Sequence, residues 1–123
     1  MLDSHIFLRN ARFHAYHGVL SQERIVGNDY LVSIDIDYDF EHAMVTDSLD
    51  DTISYADVYE LVKAEMQVSS RLLEHVAGRI AKRLIALYPL IREVKLELTK
   101  INPPMGADCD GAGVSIHLIN NKT

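Results

Sequence analysis

A chain of 123 residues is sized for one domain with a single modest core, and residues 1–123 are read as one unit. With 48% hydrophobic and 24% charged residues and a net charge of −6, the composition is that of an ordinary globular protein whose surface repels phosphate backbones and anionic lipid, so neither nucleic acid nor membrane is expected as a partner. The one cysteine, Cys109, excludes an internal disulfide, and no basic and then long apolar leader opens the chain, which points to the cytoplasm.

From His5 to Tyr16 the apolar residues Ile6, Phe7 and Leu8, then Ala11, Phe13 and Ala15, predict a strand whose phase slips near Asn10, as a bulge would make it. His17-Gly18 breaks that pattern, and Val19 to Gly27 reads as a loop with a short helical turn. The next strand is the plainest: Val32, Ile34, Ile36, Tyr38 and Phe40 alternate with Ser33, Asp35, Asp37 and Asp39, giving one packed and one wet face. The aspartates read as solvation rather than a calcium ladder, because no EF-hand glycine and closing glutamate accompany them.

Glu41 to Thr52 is polar and acidic and is expected to be a loop. Ser54, with Asp57 at the third helical position, predicts a capped helix whose stripe is Val58, Leu61, Val62 and Met66. A second helix follows Ser69-Ser70, with Leu73, Val76, Ala77, Ile80, Ala81, Leu84 and Tyr88 on one side, and stops at Pro89. Val94, Leu96 and Leu98 then alternate with Lys95, Glu97 and Thr99 in a third strand. One more step in that phase turns Lys100 toward the core, where an ammonium is costly unless paired or set in a wet cleft; a slipped register would turn it to solvent instead. Pro103-Pro104 ends the ladder, a loop runs from Asn102 to Gly113, and Val114, Ile116 and Leu118 form the last strand. The order ββααββ, with two helices able to cover only one face of an antiparallel sheet, leaves wet edges that other copies of the chain are suited to bury.

Four side chains stand out beside this frame. Lys100 is the inward amine. Glu74 lies in the first turn of the second helix, where the helix dipole alone would favour an acid. Tyr55, at the first helical position, is either a packing residue or a hydroxyl reaching past the helix end, and Glu23 by itself reads as a surface acid. The six histidines do not make a metal motif: His14 and His17 are the only close pair and, three apart in a strand, point to opposite faces. No cofactor motif is present either.

Taken in order, His17-Gly18-x-x-x-x-Glu23, Ile53-Ser54-Tyr55-x-x-Val58, Leu72-Leu73-Glu74-His75, Thr99-Lys100-x-Asn102-Pro103-Pro104 and Gly111-Ala112-Gly113-Val114 resemble the signature segments of the dihydroneopterin aldolase family. That resemblance implies the tunnelling fold, an α+β architecture with a four-stranded antiparallel sheet and two helices on one face, and a cofactor-free retro-aldol cleavage of 7,8-dihydroneopterin in folate biosynthesis, with epimerisation at C2′ as a side activity. It implies Lys100 as catalytic acid and base, Tyr55 as a second proton carrier, Glu23 as the residue that meets the hydroxylated tail, and Glu74 with the Leu73 backbone as pterin anchor. Ile53, Ser54 and Leu20 are implied as further substrate-binding positions. It also implies a homo-oligomer, a tetramer or an octamer, in which Ile53, Ser54 and Tyr55 reach the neighbouring subunit's site. An epimerase of the triphosphorylated substrate and a non-catalytic pterin- or purine-binding ring remain the alternatives.

Overall fold

A computed structural model describes residues 2–121 apart from 104 and 107, so the second proline of the Lys-x-Asn-Pro-Pro segment lies outside the described residues. Four antiparallel strands, β1 (His5–Ala15), β2 (Asn28–Asp37), β3 (Glu93–Lys100) and β4 (Ala112–Ile119), form one sheet in the order β1-β2-β3-β4. Between β1 and β2 lies a short helix, α1 (Ser21–Val26). Between β2 and β3 come α2 (Glu41–Thr46), a 3-10 turn (Leu49–Asp51), α3 (Tyr55–Met66) and α4 (Leu73–Leu87).

The strand periods decide what is buried. In β2 Tyr30, Val32, Ile34 and Ile36 are all buried and face Leu98, Leu96 and Val94 of β3 across the ladder, with Tyr30 opposite Lys100. β1 carries the expected bulge: its register with β2 shifts between Leu8 and Ala11, with Asn10 at φ 53°, so the inward set changes from Ile6 and Leu8 to Ala11, Phe13 and Ala15. Phe7 therefore stays on the open face with Arg9 over its ring.

The helices cover the other face, α3 against β1 and α4 against β3 and β4. The predicted stripes are buried, Val58, Leu61, Val62 and Met66 from α3 and Val76, Ala77, Ile80, Ala81 and Leu84 from α4. Burying such aliphatic side chains contributes roughly 1.5 to 3 kcal/mol each, and this layer is the main source of stability. A buried charge joins it: Glu65 of α3 accepts hydrogen bonds from Arg79 at 2.7 Å and Arg83 at 2.6 Å of α4.

Several local expectations are corrected. β2 ends at Asp37, because Tyr38 donates its amide to Ser4 and Phe40 becomes the residue that starts α2. Residues 41–52 are not a plain loop: the Asp39 carboxylate accepts the Glu41 amide and Asp47 closes α2 in the left-handed conformation, while Ser48 caps the 3-10 turn. Neither element buries a residue, so no apolar period announces it. Ser54 precedes α3 as expected, yet its hydroxyl makes no capping bond and lines an apolar hollow instead. β4 begins at Ala112 rather than Val114; Gly113 pairs with Thr99 so closely that a Cβ there would meet the Leu98 carbonyl oxygen at 1.9 Å.

Candidate active site

Lys100 takes the inward position. Its side chain is 11% exposed, its neighbours across the ladder are Tyr30 and Ala112, and its Nζ lies 5.9 Å from the centre of the Tyr30 ring. The alternation of β3 carries it there, and the chain then leaves the sheet, with Ile101 bonded to Asp29 and Asn102 in the left-handed conformation. The ammonium is paired: it donates to Glu23 Oε1 at 2.8 Å.

Glu23 is accordingly not a surface acid. It sits at the third position of α1, where its other oxygen, Oε2, accepts the amide of Leu20, the residue that caps the helix. A β-carbon on Gly18 would stand 2.5 Å from the Glu23 side chain, so the carboxylate folds back over a position that only glycine leaves open. Arg24 fastens the same loop by donating to the Gly18 and Val19 carbonyls at 2.8 and 2.9 Å. The Lys100 ammonium, helped by the Leu20 amide and opposed by burial, holds the Glu23 carboxyl below its usual pKa, so the carboxyl is ionised at neutral pH.

The third wall is the link from α3 to α4. Leu72 is the cap of α4, Leu73 its first and Glu74 its second residue, with Glu74 exposed. Leu20, Glu23, Leu73, Glu74 and Lys100 share one open cleft of about 310 Å³, with Arg71, Pro103 and Met105 at its rim. Five of the sequence-predicted positions, from four elements or links, thus meet.

The other three do not join them within one chain. Ile53 is buried, Ser54 half-buried and Tyr55 69% exposed, and all three line a separate apolar hollow of about 470 Å³ with Phe40, Met44 and Leu49. The hydroxyl of Tyr55 therefore has no access to Lys100 of its own chain.

His17 is the residue that the sequence undervalued. It is fully buried, its Nδ1 accepts the Ser70 amide at 3.1 Å, and its carbonyl accepts the Tyr30 hydroxyl at 2.9 Å. Burial above all, with the cations of Arg79 and Lys100, pushes its pKa down to about 4, so the ring is neutral. The available signal was position alone, one residue before Gly18.

One further group has metal-ligand proximity, Asp3, His5 and Asp37 at the opposite end of the sheet. Both ring nitrogens of His5 are already engaged by Asp35 at 2.5 Å and Asp3 at 2.8 Å, which raises its pKa, and Asp37 is paired with Arg92 at 2.7 Å. An imidazole with both nitrogens engaged and a guanidinium already occupy the carboxylates, so this cluster is poorly fitted to a cation.

In comparisons with known proteins, a family profile described as dihydroneopterin aldolase matches residues 6–117. A dihydroneopterin aldolase of Staphylococcus epidermidis is 40% identical over 112 residues, spanning 90% of this chain and 93% of the relative. Among solved structures, Escherichia coli dihydroneopterin aldolase in complex with neopterin superposes with a TM-score of 0.86 at 25% identity, over 94% of this chain and 98% of that one. A Burkholderia thailendensis dihydroneopterin aldolase bound to guanine gives a TM-score of 0.79 at 21% identity, over 97% and 93% of the two chains. Among the described residues no helix is long and apolar enough to cross a membrane.

Proposed function

The chain belongs to the dihydroneopterin aldolase family and is a carbon–carbon lyase of folate biosynthesis with the tunnelling fold; from that premise we propose how its residues divide the retro-aldol cleavage of 7,8-dihydroneopterin into 6-hydroxymethyl-7,8-dihydropterin and glycolaldehyde. The observation that carries the assignment of roles is the Lys100 ammonium, turned inward, held at 2.8 Å by Glu23, and sharing a cleft with Glu74.

Glu74 anchors the pterin. A carboxylate accepts two parallel hydrogen bonds from an amino-pyrimidinone edge, which fixes orientation as well as adding affinity, and the Leu73 backbone beside it supplies a further polar contact. Leu20 packs against the ring and Glu23 meets the hydroxylated tail. A bound neopterin in the Escherichia coli relative supports this ligand class.

Cleavage then requires removal of the 2′-hydroxyl proton, rupture of the C1′–C2′ bond and a sink for the released electron pair. The substrate's own C6=N5 bond takes that pair, so glycolaldehyde leaves and an enol remains at C1′ and C6. Lys100 moves the protons: in its neutral amine form it receives the 2′ proton through water and, as the ammonium so formed, with Tyr55 returns one to C1′. Re-addition of the aldehyde through its opposite face inverts C2′, which makes epimerisation a side activity. Glu23 keeps the amine aimed between these steps.

Tyr55, Ser54 and Ile53 complete the site from a neighbouring copy in a homo-oligomer, a tetramer or an octamer. Two exposed apolar surfaces support this: Met44, Leu49 and Tyr55 around one hollow, and Val19, Leu20 and Leu72 around the Lys100 cleft. The cytoplasm is the compartment of this reading, in keeping with a single free cysteine.

The decisive experiment incubates the purified protein with 7,8-dihydroneopterin and identifies the products. Release of glycolaldehyde that disappears in Lys100→Ala supports the assignment, and equal rates in both proteins remove Lys100 from its role. Preference for the triphosphorylated substrate, with inversion and no cleavage, would move the function to an epimerase. Mixing Lys100→Ala and Tyr55→Phe subunits tests the shared site, since mixed assemblies regain some intact sites only if two chains contribute.

A further inference from the structure

The loop that carries Glu23 and the link that carries Glu74 have no sheet pairing in common. What joins them is a short set of contacts around His17. Its ring accepts the Ser70 amide, and the next residue, Gly18, donates its own amide to the Ser70 carbonyl at 2.9 Å. Ser69 donates its hydroxyl to the Tyr16 carbonyl just before it, and Arg79 holds the Ser70 hydroxyl from the other side at 2.9 Å. The His17 ring also meets the Tyr30 ring edge-on at 5.3 Å, the same ring that lies under the Lys100 ammonium.

We infer that His17 is a positioning residue of the reaction: its imidazole, by accepting the Ser70 amide, ties the Glu23 loop to the Glu74 link and so sets the gap between the Lys100–Glu23 pair and the pterin anchor. Glu23 comes six positions after His17 and Glu74 four positions after Ser70, so slack at this joint reaches both groups directly. The bond requires an unprotonated Nδ1, because a proton there would face the Ser70 amide donor. The proton of the neutral ring therefore sits on Nε2, which has no hydrogen-bond partner among the described residues. The ring meets Tyr30 edge-on and lies in the field of the cations Arg79 and Lys100, none of which accepts that proton. Shape alone does not explain such a residue, since a phenylalanine would fill the space without leaving a buried imidazole N–H unpaired.

This inference rests on the retro-aldol reading, and its test separates the two. Steady-state kcat and KM for 7,8-dihydroneopterin, and equilibrium neopterin affinity, are measured for wild type, His17→Phe, His17→Asn and the core control Ile80→Val, all at a temperature where each is folded. Asparagine presents Oδ1 at the place of Nδ1 and so restores the acceptor. Expected are a fall in kcat/KM of about tenfold or more for His17→Phe, recovery to within about threefold for His17→Asn, and no change for Ile80→Val. Wild-type kcat and KM in His17→Phe, or no recovery in His17→Asn, overturn the inference whatever the melting temperatures. Should His17→Phe fail to fold, nitrogen NMR of wild-type His17 decides: a neutral ring with Nδ1 as acceptor at pH 6 is expected, and a proton on Nδ1 overturns it. Absence of turnover in wild type sinks the retro-aldol reading instead, leaving neopterin affinity and the imidazole spectrum to judge the joint.

Discussion

Lys100 Nζ and Glu23 Oε1 lie 2.8 Å apart although they are 77 positions apart in the sequence, and both side chains are largely buried. Such a pair holds an amine in one place. Lys100→Ala is therefore expected to lower glycolaldehyde release by roughly a hundredfold to ten-thousandfold, the range for losing a general acid or base, while neopterin affinity changes little. Glu23→Gln keeps a hydrogen bond but removes the charge, and is expected to have the smaller effect on kcat. Stopped-flow binding beside steady-state assays distinguishes the two variants.

Gly18 is the floor under Glu23. An alanine there sets a β-carbon 2.5 Å from the Glu23 side chain, which has to swing away and loosen its hold on Lys100. Gly18→Ala is expected to cost about tenfold to a hundredfold in kcat with a smaller change in KM, because misplacement of about 1 Å is worth that much. Unchanged kcat would show that the amine needs no such aim.

The link from α3 to α4 depends on Arg79, which donates to the Glu65 carboxylate and carbonyl, the Val68 carbonyl and the Ser70 hydroxyl. Arg79→Met leaves Glu65, 8% exposed, short of its main partner. A loss of about 2 kcal/mol or more in urea unfolding is expected. Arg83→Met removes a half-exposed partner of the same carboxylate and is expected to cost less.

Acid is expected to weaken the fold in two stages. The ring of His17 has its pKa pushed from the ordinary 6.5 down to about 4, so from pH 6.5 toward 4 the unfolded chain takes up a proton that the folded chain refuses. Stability therefore falls as pH drops through that window, by on the order of 3 kcal/mol at its lower end. Glu23, whose pKa is depressed, stabilises the fold above the ordinary carboxylate value of 4.5, and that contribution is lost as pH falls below it. His5 acts oppositely, its raised pKa favouring the folded state at acid pH, but it lies at the surface and is screened. Urea midpoints between pH 7 and 4.5 check the sum; His17→Asn should flatten the first stage.

Local periods carried most of the architecture. Alternation in Val32 to Ile36 and Val94 to Leu98, and threefold and fourfold spacing in Val58 to Met66 and Val76 to Leu84, reflect burial on one face, and burial is what writes a period into a sequence. The phase slip at Asn10 and the inward phase of Lys100 were legible for the same reason. Elements that bury nothing, α2 and the 3-10 turn, left no such trace.

The site was legible mainly through motif likeness, since Glu23 and His17 have no period to betray them. Asp37 likewise resembled a solvated aspartate until the fold brought Arg92 beside it. By itself the sequence determined which faces are apolar and where the ladder stops, and left Lys100 either inward or turned out by a slipped register, a choice the structure made for the inward side. Only the tertiary structure decided that Glu23 meets Lys100, that His17 is sealed against Ser70, and that Tyr55 faces away from both. The reason is that a contact across tens of residues depends on how strands and links cross in space, and no local pattern of side chains encodes that crossing.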